Sequence, residues 1–521
     1  MIARIPSSTA TLLTLIFVPT ALVVLLACGG APTKGTTETG PKVAPTSTAL
    51  RFVTLPANQN PAISLRFAFE TGFADDPATR HGLTALAARF VAEGGTSSLD
   101  SYAFQQKLYP WAAHIGHQVD AELTVFTATI HRDQLEEFVP LFTELLSRPR
   151  FDAKDFERMR RDAIDDIEKR LRTSDDENLG KEALVELLYA DHSYGHYAGG
   201  AVAALNAMTL DEVKAHAKTV FSRARLVVGL AGGYPASARA TLETHLAALP
   251  EGHRRVAVPP AAVKPGAKML IVEKDAPAVA FSLGAHVKYG RDDADFFALM
   301  VGLSAFGEHR QFHGRLMQRL REQRGLNYGD YAYGEFFEQE GWSSFPKVNL
   351  PRQEQLFSIW LRPVAPDDAI FALRLALNEY RKLLTEGLTA EEVERAKQFL
   401  DGYTRIWDKN DQRRLGNALD DLFNATPDRL TKFRAALPGL DAATVNRTLK
   451  QHLPSPEALN IVAVTANGAA FRDAILSNAP SVKKYNSEKP AALLEDDAKA
   501  STVSVGIAAE RIRIVKATDL F

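Results

Sequence analysis

A single cysteine, Cys28, occurs in the 521 residues of this chain, so no internal disulfide can form. Charge of one sign is also missing as a theme: 61 Lys and Arg stand against 63 Asp and Glu. The balance excludes the basic surface of a nucleic-acid-binding protein and the acidic run of a solvating tail. Hydrophobic residues at 46% and charged residues at 24% are ordinary globular proportions, neither disordered nor membrane-embedded throughout. The length admits about two to four domains of common size.

The cysteine is placed where it carries information. Arg4 supplies a short basic region, Thr11 to Ala27 is almost wholly apolar, and the run ends Leu25-Leu26-Ala27-Cys28. That ending resembles the bacterial lipobox, which implies a signal peptide over residues 1–28 and lipid on Cys28. By the same resemblance, Gly29 in place of aspartate implies the outer membrane, facing the periplasm. The alternative is an uncleaved anchor, because an apolar run of about 17 residues is near the lower limit for spanning a bilayer. Residues 29–48, rich in Gly, Pro and Thr, read as a flexible tether.

The rest of the chain shows a duplication. Ile63, Leu65, Phe67 and Phe69 alternate with Ser64, Arg66, Ala68 and Glu70, the pattern of a strand with one buried face. Val279 to Val287 repeats it. Ala153 to Arg160 aligns with Ala390 to Lys397, each behind a residue suited to capping a helix, Asp152 and Thr389. Strands at Leu226–Leu230 and Leu459–Val464 close the two halves. The reading is α+β, with similar domains at 49–250 and 268–475, a Pro-containing linker at 251–267, and a tail at 476–521. Within the tail, Thr502–Ile507 and Arg511–Val515 are strand-like and are expected to form a hairpin or dock on the body.

Several strings then point to a family. The first half has Gly82-Leu83-Thr84-Ala85-Leu86-Ala87-Ala88-Arg89, then Glu93-Gly94-Gly95-Thr96, and later His192-Ser193-Tyr194-Gly195 with Gly199-Gly200. In this order and spacing they resemble the insulinase/pitrilysin zinc peptidases, which include mitochondrial processing peptidase. The resemblance covers roughly residues 49 to 475. It implies two similar domains, each with a mostly antiparallel sheet packed by helices. In the family the first string reads Gly-Leu-x-His-x-x-Glu-His. Its two histidines, one helical turn apart, hold Zn²⁺, and its glutamate polarises the attacking water.

Here that chemistry is absent. Ala85 and Ala88 offer neither donor nor base, and Arg89 puts a permanent cation where the metal would sit. The family's third ligand, a glutamate, falls at Asp165-Asp166, where Asp166 is the shorter stand-in. No zinc or other cofactor is expected in this chain. Arg89 is expected either to pair with Asp165 or Asp166 or to point to solvent. The pairs His114/His117, His192/His196 and His309/His313 have chelating spacings but lack a neighbouring hydrolytic glutamate; they are read as structural or surface residues.

The second half keeps what the first has lost. Leu320-Arg321-Glu322-Gln323-Arg324-Gly325-Leu326-Asn327-Tyr328 resembles the family string Leu-Arg-Glu-x-x-Gly-Leu-x-Tyr, with a helix expected before it over Phe312 to Leu320. The resemblance implies that Arg321 and Tyr328 bind peptide near the scissile bond. A phenol can donate to an oxyanion and a guanidinium is a fork of donors for a carbonyl. The bland alternative is that Arg321 ends a helix and Tyr328 packs in a strand. Only three glycines (302, 307 and 314) lie where the non-catalytic processing-peptidase subunit has a glycine-rich loop.

The leading expectation is a lipid-anchored, non-catalytic subunit that binds peptide and lends Arg321 and Tyr328 in trans to an HxxEH-bearing, zinc-carrying partner. The rival is a stand-alone binding or scaffold lipoprotein. A third reading is a peptidase with an unrecognised metal site.

Overall fold

In the computed structural model, residues 49–263, 266–308, 312–341, 343 and 345–521 are described. Cys28, the apolar run before it, the 29–48 tether and His309 lie outside the described residues. Eleven strands form two sheets: β1 (Arg51–Thr54), β2 (Ala62–Phe69), β3 (His114–Val119), β4 (Thr124–His131) and β5 (Leu226–Gly232) in one. The other holds β6 (Met269–Glu273), β7 (Val279–Val287), β8 (Asp330–Tyr333), β9 (Gln355–Val364), β10 (Asn460–Thr465) and β11 (Ile512–Lys516).

The first sheet runs β1-β5-β2-β4-β3 and the second β11-β6-β10-β7-β9-β8. With β11 set aside the orders are the same. So are the directions: β1 with β5 and β6 with β10 are parallel, and the other pairs within these two runs are antiparallel. The duplicated strings therefore mark one architecture built twice, mostly antiparallel and packed by helices.

Five helices matter for the site: α1 (Leu83–Glu93), α2 (Ala153–Asp165), α3 (Asp176–Leu188), α4 (Ala390–Trp407) and α5 (Asp411–Phe423). The aligned pair α2 and α4 starts as its sequence asks. Asp152 accepts from the Lys154 amide at 2.8 Å, and Thr389 and Glu392 form a reciprocal capping box.

One expectation changes. β2 is not half-exposed: Ser64, Arg66 and Ala68 are as buried as the apolar residues between them. The cause is an exchange of helices between halves. α5, from the second half, covers the outer face of the first sheet, with Leu419 packed on Ala68, Val125 and Val227. α3, from the first half, covers the second sheet, with Leu179, Ala183 and Leu184 against Ala280, Val462 and Val464. Small residues allow the approach; a Cβ on Gly229 would meet Leu415 of α5 at 3.2 Å. Arg66 donates through its two terminal nitrogens to the Asn349 side chain at 2.8 Å and the Gln412 carbonyl at 3.2 Å.

The tail docks on the body, without a hairpin. Thr502–Ile507 is not a strand, whereas β11 pairs parallel with β6. Beyond it the chain returns to the first half, where Arg172 donates to the Leu520 carbonyl at 2.8 Å. The described residues form one compact unit, and none of their helices is long and apolar enough to cross a membrane.

The seam is held by buried charge. Arg352, entering β9, pairs with Asp120, leaving β3, through contacts of 2.6 and 3.1 Å. Their side chains are 3% and 4% exposed. Nearby, Glu122 accepts from Tyr194, the Gln353 amide and Arg255 of the 251–267 linker. Removing one member of a fully buried pair strands the other, at a cost of about 3–5 kcal/mol. Asp120→Ala should lower unfolding stability by about that amount, read from the urea midpoint. A shift below about 1 kcal/mol would mean that water already screens the pair.

Candidate functional site

The exchange leaves a cavity of about 1190 Å³, lined by both halves. α1 contributes Ala85, β3 contributes His117, α3 contributes Lys181 and Glu182, and the second half contributes Arg321 and Tyr328. The degenerate metal helix and the Arg/Tyr pair, far apart in sequence, thus face one space.

α1 is started by Asp76, whose carboxylate accepts from the amides of Gly82 and Thr84 at 2.7 and 2.8 Å and from the Thr84 hydroxyl at 2.6 Å. Gly82 has φ +95°, and a Cβ there would meet the Gly200 Cα at 2.8 Å. The Gly-Leu string and the Gly-Gly string are therefore two sides of one close backbone contact. Ala85 lies on the open face of α1 while Ala88 is fully buried. Asp166 does not line the cavity, although its neighbours Arg170 and Tyr197 do.

The expected pairing of Arg89 is corrected. Its guanidinium donates to Asp162 at 2.8 Å and to Glu93 at 3.2 Å, not to Asp165 or Asp166. Asp165 pairs with Lys169 at 2.8 Å, and Asp166 with Arg170 at 2.5 Å. The reason is helical phase: Asp162 is one turn nearer to where α2 crosses α1. From Asp166 onward the backbone winds as a π-helix, Asp166–Leu171, which brings Asp166 and Arg170 together. Arg89 does join two helices by an ion pair, but the carboxylate is Asp162.

The Arg/Tyr pair is presented by a turn. Its expected helix is short: helical structure begins at residue 315 and passes into a π-helix, Met317–Glu322. Gly325, at φ +62°, reverses the chain. The Asn327 side chain then ties the turn to Asp330 at 2.6 Å and to the Arg362 carbonyl at 3.1 Å. Tyr328 is left 69% exposed, so it does not pack into a strand. Its ring lies between two guanidinium groups, Arg321 at 4.7 Å and Arg362 at 5.6 Å from the centroid. Arg362 is held by Glu177 of α3 at 3.2 Å, which ties the first half to the pair. One sequence held no sign of Arg362; its role comes from where β9 ends.

Burial pulls the His117 imidazole below its ordinary range, and Arg89 and Lys347 add to that against Glu93. A neutral His117 beside Ala85 is one donor atom, too few for a metal. Among the described residues the group that brings three ligand atoms together is Asp293, Asp295 and His452, where Arg447 already donates to Asp295 at 3.3 Å. None of the three lines the cavity. His192 is engaged by the Pro259 carbonyl at 2.8 Å, and His196 stacks on His81 at 4.0 Å. The family's zinc does not fit the residues at 85, 88 and 89.

The Arg89 pair is partly open to solvent, with side chains 26% and 45% exposed. Such a pair contributes about 0–1 kcal/mol after screening. Arg89→Ala should therefore cost less than about 1 kcal/mol in a urea melt, and a loss several times larger would make Arg89 a structural keystone.

Two family models match the chain: "Insulinase (Peptidase family M16)" over residues 51–198 and "Peptidase M16 inactive domain" over 207–400. A protein named non-peptidase homolog YmxG, from Helicobacter pylori, is 23% identical over 70% of this chain and 79% of its own length. An uncharacterized zinc protease of Mycobacterium tuberculosis is 26% identical over 50% of this chain and 62% of its own. Among solved structures, a peptidase M16 inactive domain from Pseudomonas fluorescens superposes with TM-score 0.72 at 24% identity, covering 81% of this chain and 97% of that one. A protease from Helicobacter pylori gives TM-score 0.67 at 15% identity, over 79% and 96%. The structural likenesses concern the fold. Both family models are of one family, and this chain belongs to the insulinase family, peptidase M16, as a member without the family's HxxEH residues.

Proposed function

We propose that this chain is the non-catalytic, peptide-binding subunit of a zinc metallopeptidase heterodimer in the cell envelope. On this reading lipid on Cys28 holds it to the outer membrane, facing the periplasm. The partner, an HxxEH-bearing member of the same family, carries the zinc. The observation that supports this most is the state of Tyr328: open, flanked by two guanidinium groups, and set in the same cavity as a helix with no metal donor.

The chemistry follows from the residue types. A peptide laid through the cavity meets the Tyr328 hydroxyl as a donor and Arg321 as a fork that can hold a backbone carbonyl. Among the described residues the acceptors beside Arg321 are Glu322 at 3.6 Å and the Met317 sulfur at 3.8 Å. Its donors are therefore open to a ligand. Fixed donors of this kind assist where charge develops on a carbonyl oxygen.

A second reading, a stand-alone peptide-binding or scaffold lipoprotein, is favoured by the cavity being lined by both halves of this one chain. Peptide contact then needs no partner.

The two readings separate on co-purification with an HxxEH relative and on cleavage by the pair. Tyr328→Phe and Arg321→Ala should each lower cleavage by about 10²-fold, the usual effect of removing one oxyanion donor. Full activity in both variants would favour the scaffold reading. Cleavage by this chain alone, abolished by a chelator, would overturn both.

A further inference from the structure

The second half has a smaller cavity of its own, of about 70 Å³. It lies between the helix Phe296–Gly307, which follows β7 as α1 follows β2, and α4, the counterpart of α2. Carrying the alignment of α2 with α4 onward, Tyr403 and Trp407 stand where Asp166 and Arg170 stand in the first half. The cavity is thus the second half's counterpart of the space beside α1 and α2. One side is apolar, formed by Phe296, Leu299, Met300 and Leu303.

The other side carries donors without acceptors. Arg429 Nε, the Tyr289 hydroxyl and the Trp407 indole N–H are buried and make no hydrogen bond among the described residues. All three residues line the cavity. Arg429 is only 5% exposed, and the carboxylate beside it, Asp421, stands 3.7 Å from Nε, outside hydrogen-bond reach. The carboxylates of the lining are engaged elsewhere. Glu335 takes Arg291 at 2.8 and 3.0 Å, and Asp420 takes the Asn349 amide at 2.8 Å. A guanidinium buried without hydrogen bonds is costly, and an acceptor brought from outside removes the cost.

We infer that this cavity is a binding site for a short-chain carboxylate, whose oxygens accept from Arg429, Tyr289 and Trp407 and whose alkyl end meets the apolar side. The site is independent of what the larger cavity binds. A carboxylate offers acceptors only and matches the guanidinium fork in two places, which water does not. The size limits the class: a cavity of about 150 Å³ takes benzene, so about half that volume has room for about three or four heavy atoms, as in formate or acetate.

The titration states are compatible with an anion. Burial pulls Arg429 down to about 10, with Arg291 adding to the drop, which leaves it a cation at neutral pH. Burial pushes the Glu308 carboxyl, also in the lining, up to about 8 against its hydrogen bond with Ser304. Near neutrality Glu308 is therefore mostly uncharged and does not repel a carboxylate.

The test uses the full chain with sodium acetate as the probe. Acetamide serves as the neutral analogue, benzoate as an oversized carboxylate, and sodium chloride holds the ionic strength. A ligand of this size binds no tighter than about 40 µM, so calorimetry and tryptophan fluorescence are followed from about 10 µM to about 50 mM. Acetate should bind saturably and about tenfold or more tighter than acetamide, and benzoate should not displace it. Arg429→Gln should weaken acetate by about tenfold or more. Trp407→Phe should remove the fluorescence change.

Should Arg429→Gln fail to fold, saturation transfer from aromatic protons of the unmodified chain to the acetate methyl group should still be seen and should survive added benzoate. Equal affinity for acetate and acetamide, displacement by benzoate, undiminished binding to Arg429→Gln, or a fluorescence change that survives Trp407→Phe overturns the site. Absence of any saturable acetate signal means that the cavity holds water only, and overturns it as well.

Discussion

Arg352 and Asp120 come from different halves of the chain and meet with almost no exposure to water. Neither charge is tolerable there alone. Around them each sheet lends its second face to a helix of the other half, α3 to the second sheet and α5 to the first. The halves are therefore joined by core packing as well as by surface contact, and the buried pair sets their register. The candidate site lies beside this seam: the open face of α1, the cavity, and the turn that presents Tyr328.

A bound metal ion holds its ligands with many kcal/mol, whereas the partly exposed Arg89–Asp162 pair that now links α1 and α2 supplies a small fraction of that. The helix survives because Asp76 caps its start and the glycines at 82 and 200 let two backbones touch. Its inner face, Leu86, Ala87 and Phe90, is buried in the first core. The same cavity is lined by Arg321 and Tyr328 of the second half.

How far the sequence could be read varied with the kind of signal. Local chemistry was legible: the caps at Asp152 and Thr389, the turn at Gly325, and the alternation of β2 and β7 all depend on neighbours a few residues away. Burial of Arg66 was not legible, because the helix that covers it begins some 340 residues later (the Arg66 to Gln412 contact spans 346). The partner of Arg89 was misplaced by one helical turn for a similar reason. Counting along the chain locates a helix, but the crossing of α1 over α2 and the π-helical winding after Asp165 decide which carboxylate arrives.

By itself, the sequence determined the duplicated α+β plan, the absence of donor atoms at 85 and 88, the cation at 89 and the spacing of Arg321 and Tyr328. Residue identity and short-range periodicity suffice for these. The tertiary structure alone decided that the two halves exchange helices, that Ala85 and Tyr328 face one cavity, that Arg362 flanks the tyrosine, and that Arg89 meets Asp162. Those facts are three-dimensional sums over groups distant in the chain, in which packing and charge pairing choose among partners that sequence order leaves equal.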